Sequence, residues 1–258
     1  MKIIVLMKEV PDTYGDRVLD LETGLAERAA SEAVLDEIGE RALEAALAYA
    51  DMHAGTEIVV LSVGPETVSA ALRKALAMGA GSAVHVVDEG LAGADLGLTS
   101  ELLAAAIRRT GFDLVLAGNL STDGAGGVVP SMVAELLGVP AATNLSAMEI
   151  SEATITGVRV LESGSMDVAA DLPAVVSVTE ALPEARFPNF KGIMAAKKKP
   201  FQTLTLADLG VDAGDETAGR SIVVALSERP ARAAGVKIID EGDAASQLAD
   251  FLVQNRLV

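Results

Sequence analysis

Short apolar runs and amphipathic stretches alternate through the first half of the chain. Lys2–Met7 is an apolar run ended by Val10-Pro11-Asp12, which predicts a strand and then a turn. Between Ser31 and Met52, Val34, Ile38, Ala42, Ala45, Tyr49 and Met52 recur at helical spacing, so an amphipathic helix is expected there. Glu57–Val63 reads as a second buried strand closed by Gly64-Pro65, and a helix follows to Met78, stopping at Gly79. Ser82–Val87 is a third predicted strand, Leu96–Arg109 a third helix and Phe112–Ala117 a fourth strand. A glycine-rich turn and a helix from about Val128 to Leu137 complete the series. Strand–helix units whose strands are continuous apolar runs imply a parallel sheet covered on both faces.

After about residue 145 the pattern changes. Ala153–Val160 and Met166–Val178 read as antiparallel strands around the turn Glu162-Ser163-Gly164. From about Gln202 come a short strand, a polar Gly/Asp-rich connection, a strand Ser221–Leu226 and a helix from about Ala245 to Asn255. The apolar content of this last part is too thin for a core of its own. The expected fold is therefore α/β: a doubly wound, mostly parallel sheet with an antiparallel addition and an extended C-terminal arm. The main domain is expected over residues 1–200 and the arm over 201–258.

Composition narrows the chemistry. The chain has no Cys, which excludes disulfides, thiol redox chemistry and cysteine-ligated iron–sulfur clusters. The two His, His53 and His85, are too few and too far apart to suggest a metal site, and His85 sits in the apolar run 83–87 as a strand residue. A formal net charge of -17 argues against nucleic acid as a partner. Half of the residues are hydrophobic, yet no uncharged apolar run approaches the roughly 20 residues needed to span a bilayer. The N-terminal run is too short for a signal peptide and reads as a strand. The expectation is a soluble, cytoplasmic protein.

Two segments carry candidate chemistry. Gly118-Asn119-Leu120-Ser121-Thr122-Asp123-Gly124-Ala125-Gly126-Gly127 leaves a predicted strand and enters a helix at Val128-Val129. Ligands of open parallel sheets bind outside the carboxyl ends of the strands. Glycines let the backbone approach a ligand and adopt positive φ, and a helix start offers free N–H groups to an anion. Ser121 and Thr122 add hydroxyl donors. The turn is neither a Walker A loop nor Gly-x-Gly-x-x-Gly, and no Lys, Arg or His occurs between Arg109 and Arg159. A phosphate held there would rely on backbone amides, which favours retention of a nucleotide over its hydrolysis. The alternative is an ordinary flexible loop before a helix.

The second segment is Arg186-Phe187-Pro188-Asn189-Phe190-Lys191-Gly192-Ile193-Met194-Ala195-Ala196-Lys197-Lys198-Lys199-Pro200. Three of the five Phe (Phe187, Phe190, Phe201) and the Lys-Lys-Lys run fall in or beside it. Apolar residues punctuated by Pro, Asn and Gly read as a loop that presents anchors to another surface. The alternative is a loop that folds back over its own Phe.

This second segment resembles the recognition-loop region of the electron transfer flavoprotein beta subunit. Lys8-Glu9-Val10-Pro11-Asp12, Leu76-Ala77-Met78-Gly79-Ala80, Asp208-Leu209-Gly210-Val211-Asp212 and Ala234-Gly235-Val236-Lys237 match the same family in the same order, so the resemblance runs nearly end to end. It implies a domain of the adenine-nucleotide-binding type, with AMP in a pocket made by Gly118 to Val129, Leu6, Asp36 and Val63. In electron-bifurcating relatives a second FAD takes that place. It also implies that the catalytic FAD belongs mainly to an alpha subunit, on which the arm would pack. This chain, without Trp and with two Tyr, offers little stacking surface for a flavin. Thr13 or Tyr14 would touch the flavin edge, or else remain exposed turn residues. Segment 182–200 would dock dehydrogenases through Phe187, Phe190, Ile193 and Met194, with Lys197, Lys198 and Lys199 shaping encounter.

The chain departs from the family pattern in several places. Asp36 stands where many relatives have Asn, and the turn lacks a Gln found before the helix in several. Met166 replaces Glu or Gln, and Ser163 replaces Gly, in a signature otherwise kept at Arg159, Glu162, Gly164, Val168, Pro173 and Val175-Val176. Other readings are a stand-alone ATP-binding protein of the universal-stress type, which leaves segment 186–200 without a role, and an adenylating enzyme, which the lack of a nearby cation disfavours.

Overall fold

The computed structural model describes every residue except Asp16, Glu216, Arg229 and Ala233. In chain order the strands are Lys2–Leu6 (β1), Glu9–Pro11 (β2), Ala33–Leu35 (β3), Glu57–Val63 (β4), Ser82–Val86 (β5), Leu114–Gly118 (β6), Ala141–Ile150 (β7), Thr154–Leu161 (β8), Gly164–Asp171 (β9), Ala174–Val178 (β10) and Phe201–Leu204 (β11). The α-helices are Glu37–Met52 (α1), Val68–Met78 (α2), Leu96–Thr110 (α3), Val129–Leu137 (α4), Phe190–Ala196 (α5), Leu206–Leu209 (α6) and Ala244–Gln254 (α7).

Nine strands make one sheet in the order β11-β5-β4-β1-β6-β10-β7-β8-β9, and β2 and β3 form a small antiparallel pair. From β11 to β7 every pairing is parallel; β8 and β9 extend the edge antiparallel. The apolar runs are strands because both faces are covered. Ile3 and Val5 pack with Leu43, Leu47, Leu72 and Leu76 of α1 and α2. Ile4, Leu61 and Val115 pack on the other face with Leu102, Ile107 and Val133 of α3 and α4. Each such side chain, fully buried, contributes about 1.5–3 kcal/mol. His85 is the buried strand residue expected, its Nε2 3.0 Å from the carbonyl of Gly64.

The topology places an opening. β1 and β6 are parallel neighbours. The chain leaves β1 through α1 toward β4, but leaves β6 through α4 toward β7, on the opposite side. The two connections diverge at the carboxyl ends of β1 and β6, which is where such sheets bind ligands.

Several elements differ from expectation. The helix expected from Ser31 begins at Glu37, because Ala33–Leu35 pairs with Glu9–Pro11 and Asp36 caps the helix. Val34 therefore shares the helical period without being helical. β7 was not expected as a strand, since its exposed positions are interspersed with buried Ala142 and Leu145 without a continuous apolar run. The expected strand Met166–Val178 is two: β9 belongs to the antiparallel edge, whereas β10 is buried throughout and lies parallel between β6 and β7. Ser221–Leu226 forms no strand; Ser221 gives its amide to Asp95 instead, and Ile222 and Val224 are exposed. Segment 186–200 contains a short helix, α5, rather than only loop.

The residues divide into two units, Met1–Val224 and Ala225–Val258. β11 pairs with β5 and so lies inside the first unit, beyond the expected boundary at residue 200. Among the described residues the second unit has one helix, α7, with no buried residue. Among the described residues no helix is long and apolar enough to cross a membrane, and no group of acidic, His or Cys side chains is arranged to hold a metal.

Candidate functional site

The turn after β6 sits on the opening between β1 and β6. Gly118 ends β6 against the first turn of α1: an added Cβ would lie 3.1 Å from the Gly39 amide and 3.1 Å from Ile38. Glycine there lets the helix start meet the sheet. Asp36, almost fully buried, joins the two. Its Oδ2 accepts from the Gly39 amide at 3.4 Å, capping α1, and its Oδ1 accepts from the Thr122 amide at 2.9 Å. Leu6 and Val63, half-buried, end β1 and β4 on the same side of the sheet.

Beyond Gly118 the backbone is pinned at its entry and open at its exit. Asn119 donates its amide to Val178 at 2.8 Å, its own side chain accepts from Leu120, and Ala125 donates to the carbonyl of Ser121 at 2.9 Å. Ala125 and Gly127 take positive φ, +48° and +65°. Gly124 to Val128 are exposed. α4 then starts at Val129 with no side-chain cap and with Pro130 in its first turn. Among the described residues nothing accepts from the amides of Gly126, Gly127, Val128 and Val129. The Thr122 hydroxyl is buried without a partner. The arrangement is an open shelf of N–H donors at a helix start, suited to an anion. Two concavities, of about 470 and 780 Å³, lie away from this turn, on the β7–β8–β9 face and beside Met1 and His53.

The fold corrects one expectation about charge. No cation is near the turn in sequence, but among the described residues three reach it in space. Lys8 Nζ lies 2.8 Å from Asp123 Oδ1 and 3.1 Å from Ser121 Oγ. Arg28 lies 3.0 Å from Asp123 Oδ2, and Arg17 donates to the Thr122 carbonyl at 3.3 Å. Burial pushes the Asp123 carboxyl up, but bonds from Lys8 and Ser121, the Lys8 charge and the Gly124 amide hold it well below the usual carboxylate range. Only the strand order could have revealed this, since Lys8 follows β1 and the turn follows β6.

The second candidate surface is α5 and its approach. Phe187 is 90% and Phe190 80% exposed, and Ile193 and Met194 are about half exposed. The segment does not fold over its own Phe; only Phe201 packs inward, under the Arg73 guanidinium at 4.6 Å. Arg186 anchors the approach by binding Glu44 through Nε at 2.9 Å and through Nη2 at 2.8 Å, and by reaching Asp51. Asn189 caps α5 by accepting from Gly192 at 2.8 Å. Gly192 lies so close to α2 that an added Cβ would fall 2.2 Å from the Ala77 carbonyl oxygen. Arg73 donates to the Ala196 carbonyl at 2.8 Å. Lys197 and Lys198 are exposed, but Lys199 is turned inward. Its Nζ donates to the carbonyls of Leu76 at 2.8 Å and Ala80 at 2.6 Å, closing the end of α2, and burial pushes its pKa down.

The profile described as "Electron transfer flavoprotein domain" matches residues 23–209. A protein named electron transfer flavoprotein subunit beta from Mycobacterium leprae (strain TN) is 46% identical, over 99% of each chain. The chain belongs to the electron transfer flavoprotein beta-subunit family. A subunit beta from Syntrophomonas wolfei subsp. wolfei is 33% identical over 98% of this chain and 96% of its own. The caffeyl-CoA reductase-Etf complex subunit CarD of Acetobacterium woodii is 35% identical over 82% of this chain and 80% of its own.

Within that family two departures now have a structural setting. Met166 is exposed and lies opposite Arg159 in the β8–β9 ladder. Arg159 turns instead to β7, donating from Nε to the Thr143 carbonyl at 2.7 Å and from Nη2 to the Thr143 hydroxyl at 3.3 Å. Asp36 is engaged wholly by backbone amides, which either a carboxylate or an Asn side-chain oxygen accepts. Thr13 and Tyr14 are exposed, on a turn in which the Tyr14 amide donates to Asp12 Oδ1 at 2.9 Å.

Proposed function

We propose that this chain is the electron-carrier beta subunit of a heterodimeric flavoprotein, not a catalyst in itself. It holds AMP on the turn after β6, braces an alpha subunit that carries FAD, and docks dehydrogenases through α5. The observation that carries the nucleotide reading is the shelf of unpartnered amides at Gly126–Val129, placed where β1 and β6 diverge. The AMP phosphate would take these N–H donors and the Thr122 hydroxyl. Leu6, Asp36 and Val63 would line the rest of the site. The paired state of Lys8, Arg17 and Arg28 supports retention, because cations held by Asp123 and by a carbonyl are not poised on a transferring phosphoryl group.

Bound to the partner, FAD supplies the electron-accepting and electron-donating chemistry. This chain's residues orient and recognise. Exposed Phe187, Phe190, Ile193 and Met194 form an apolar patch of the kind that fills a partner's pocket, with Lys197 and Lys198 beside it to steer encounter. The arm, whose helix buries nothing within its own unit, is suited to cover the alpha subunit. Thr13 and Tyr14, exposed beyond β2, are available to approach the flavin.

A second reading, which the family resemblance leaves open, has the same site hold FAD in an electron-bifurcating complex. Co-expression with a candidate alpha subunit decides between them by flavin absorbance of the purified complex. One flavin per heterodimer is expected. Two would favour the second reading, and failure to form a stable heterodimer would contradict both.

A further inference from the structure

The segment between β2 and β3 has little regular structure of its own. Among the described residues its backbone bonds, such as those joining Asp12 to Glu32, Asp20 to Leu25 and Glu27 to Val18, stay within the segment, and none ties it to the nine-stranded sheet. Among the described residues its side-chain polar ties to the rest of the fold converge on the glycine turn. Arg17 reaches the Thr122 carbonyl at 3.3 Å, and Arg28, on a short 3₁₀ turn, reaches Asp123 Oδ2 at 3.0 Å. Asp123 is the common point. Its side chain is 7% exposed, and its other oxygen is held by Lys8, at the end of β1, at 2.8 Å.

We infer that Asp123 is a positioning residue that locks residues 12–32 onto the turn, so that the loop bearing Thr13 and Tyr14 and the amide shelf hold their geometry together. A buried carboxylate bridging two cations makes stronger bonds than neutral groups would, and loses both when its charge is removed. The lock requires order at the turn to be transmitted to the loop, and reciprocally. The consequence for AMP rests on the function proposed above.

Hydrogen exchange by mass spectrometry on the full-length chain, stripped of nucleotide and then supplied with AMP, tests the lock. In D123N, exchange in peptides from 12–32 is expected to rise about tenfold, the loss of one charge-assisted bond, while peptides of β4 and β5 stay unchanged. R28M, which leaves Asp123 in place, is expected to loosen the same peptides, and D123E to restore part of the protection. AMP is expected to slow exchange at the turn and at 12–32 in the native chain, but at the turn alone in D123N. Unchanged exchange at 12–32 in both D123N and R28M would overturn the lock, as would AMP protection of that segment that is present in the native chain and equally large in D123N. If AMP protects neither region while D123N still loosens 12–32, the lock stands and the nucleotide reading fails.

Discussion

Gly192 has no space for a side chain. A Cβ there would collide with the Ala77 carbonyl, which belongs to the backbone of α2 and cannot rotate away. Gly192→Ala is therefore expected to cost about 1–3 kcal/mol and to detach α5 locally, read as a lower denaturation midpoint with raised exchange at 190–196. Phe190 is the opposite case, since it is exposed and makes no demand on the fold. Phe190→Ala is expected to leave stability and heterodimer assembly unchanged while lowering kcat/KM for transfer from dehydrogenases by about 30- to 700-fold, the equivalent of losing a 2–4 kcal/mol anchor. Loss of assembly instead would make the patch structural. At this scale the sequence was informative about which apolar side chains stay exposed, because Phe punctuated by Pro, Asn and Gly does not read as core. It was uninformative about Lys199: three consecutive lysines look alike until the end of α2 is found beside the third.

Among the elements, buried parallel strands were the most legible. β1, β4, β5 and β6 are short apolar runs because both faces are covered; β10 has the same character, but its run is continuous in sequence with β9 and was expected as one strand with it. Boundaries set by tertiary partners were not legible. Ala33–Leu35 matches the period of the following helix and becomes a strand only because Glu9–Pro11 lies beside it. α5, seven residues long, is too short to persist alone; it depends on the Asn189 cap, the Arg73 bond and contact with α2. α1 depends on Asp36 in a way that extends beyond the helix. Asp36→Ala removes the cap and the acceptor of the Thr122 amide together, so it is expected to cost more than the ~1 kcal/mol of an ordinary cap and to weaken nucleotide retention. Asp36→Asn keeps an acceptor and is expected to retain most of both. Equal nucleotide retention in Asp36→Ala and the native chain would show that the amide shelf does not need this brace.

Over the whole molecule, the order of the strands decides the site. The sequence announces a glycine-rich turn and an absence of local cations, yet the arrangement of β1 beside β6 delivers Lys8 to that turn, and the segment before β3 delivers Arg17 and Arg28. No periodicity reports strand order, so the electrostatics of the site were legible only in the fold. The resulting pH dependence has a definite sign. The folded-state pKa of Asp123 lies below its unfolded value, so its contribution to stability is present above about pH 4 and is lost as pH falls through the folded value. The stability gap between the native chain and D123N is expected to be constant from about pH 8 to 5 and to shrink below about pH 4 in denaturation experiments. A gap that instead widened on acidification would show that Asp123 is not held as a charged group.

Acid extraction of the purified heterodimer, followed by chromatography of the released nucleotide, tests the amide shelf most directly. AMP in near-equal proportion to protein is the expected result, with a large deficit when Asp36 is replaced by Ala. Extract containing no adenine nucleotide beyond the partner's single FAD would contradict it, and a second FAD in place of AMP would contradict the AMP reading in favour of the second one.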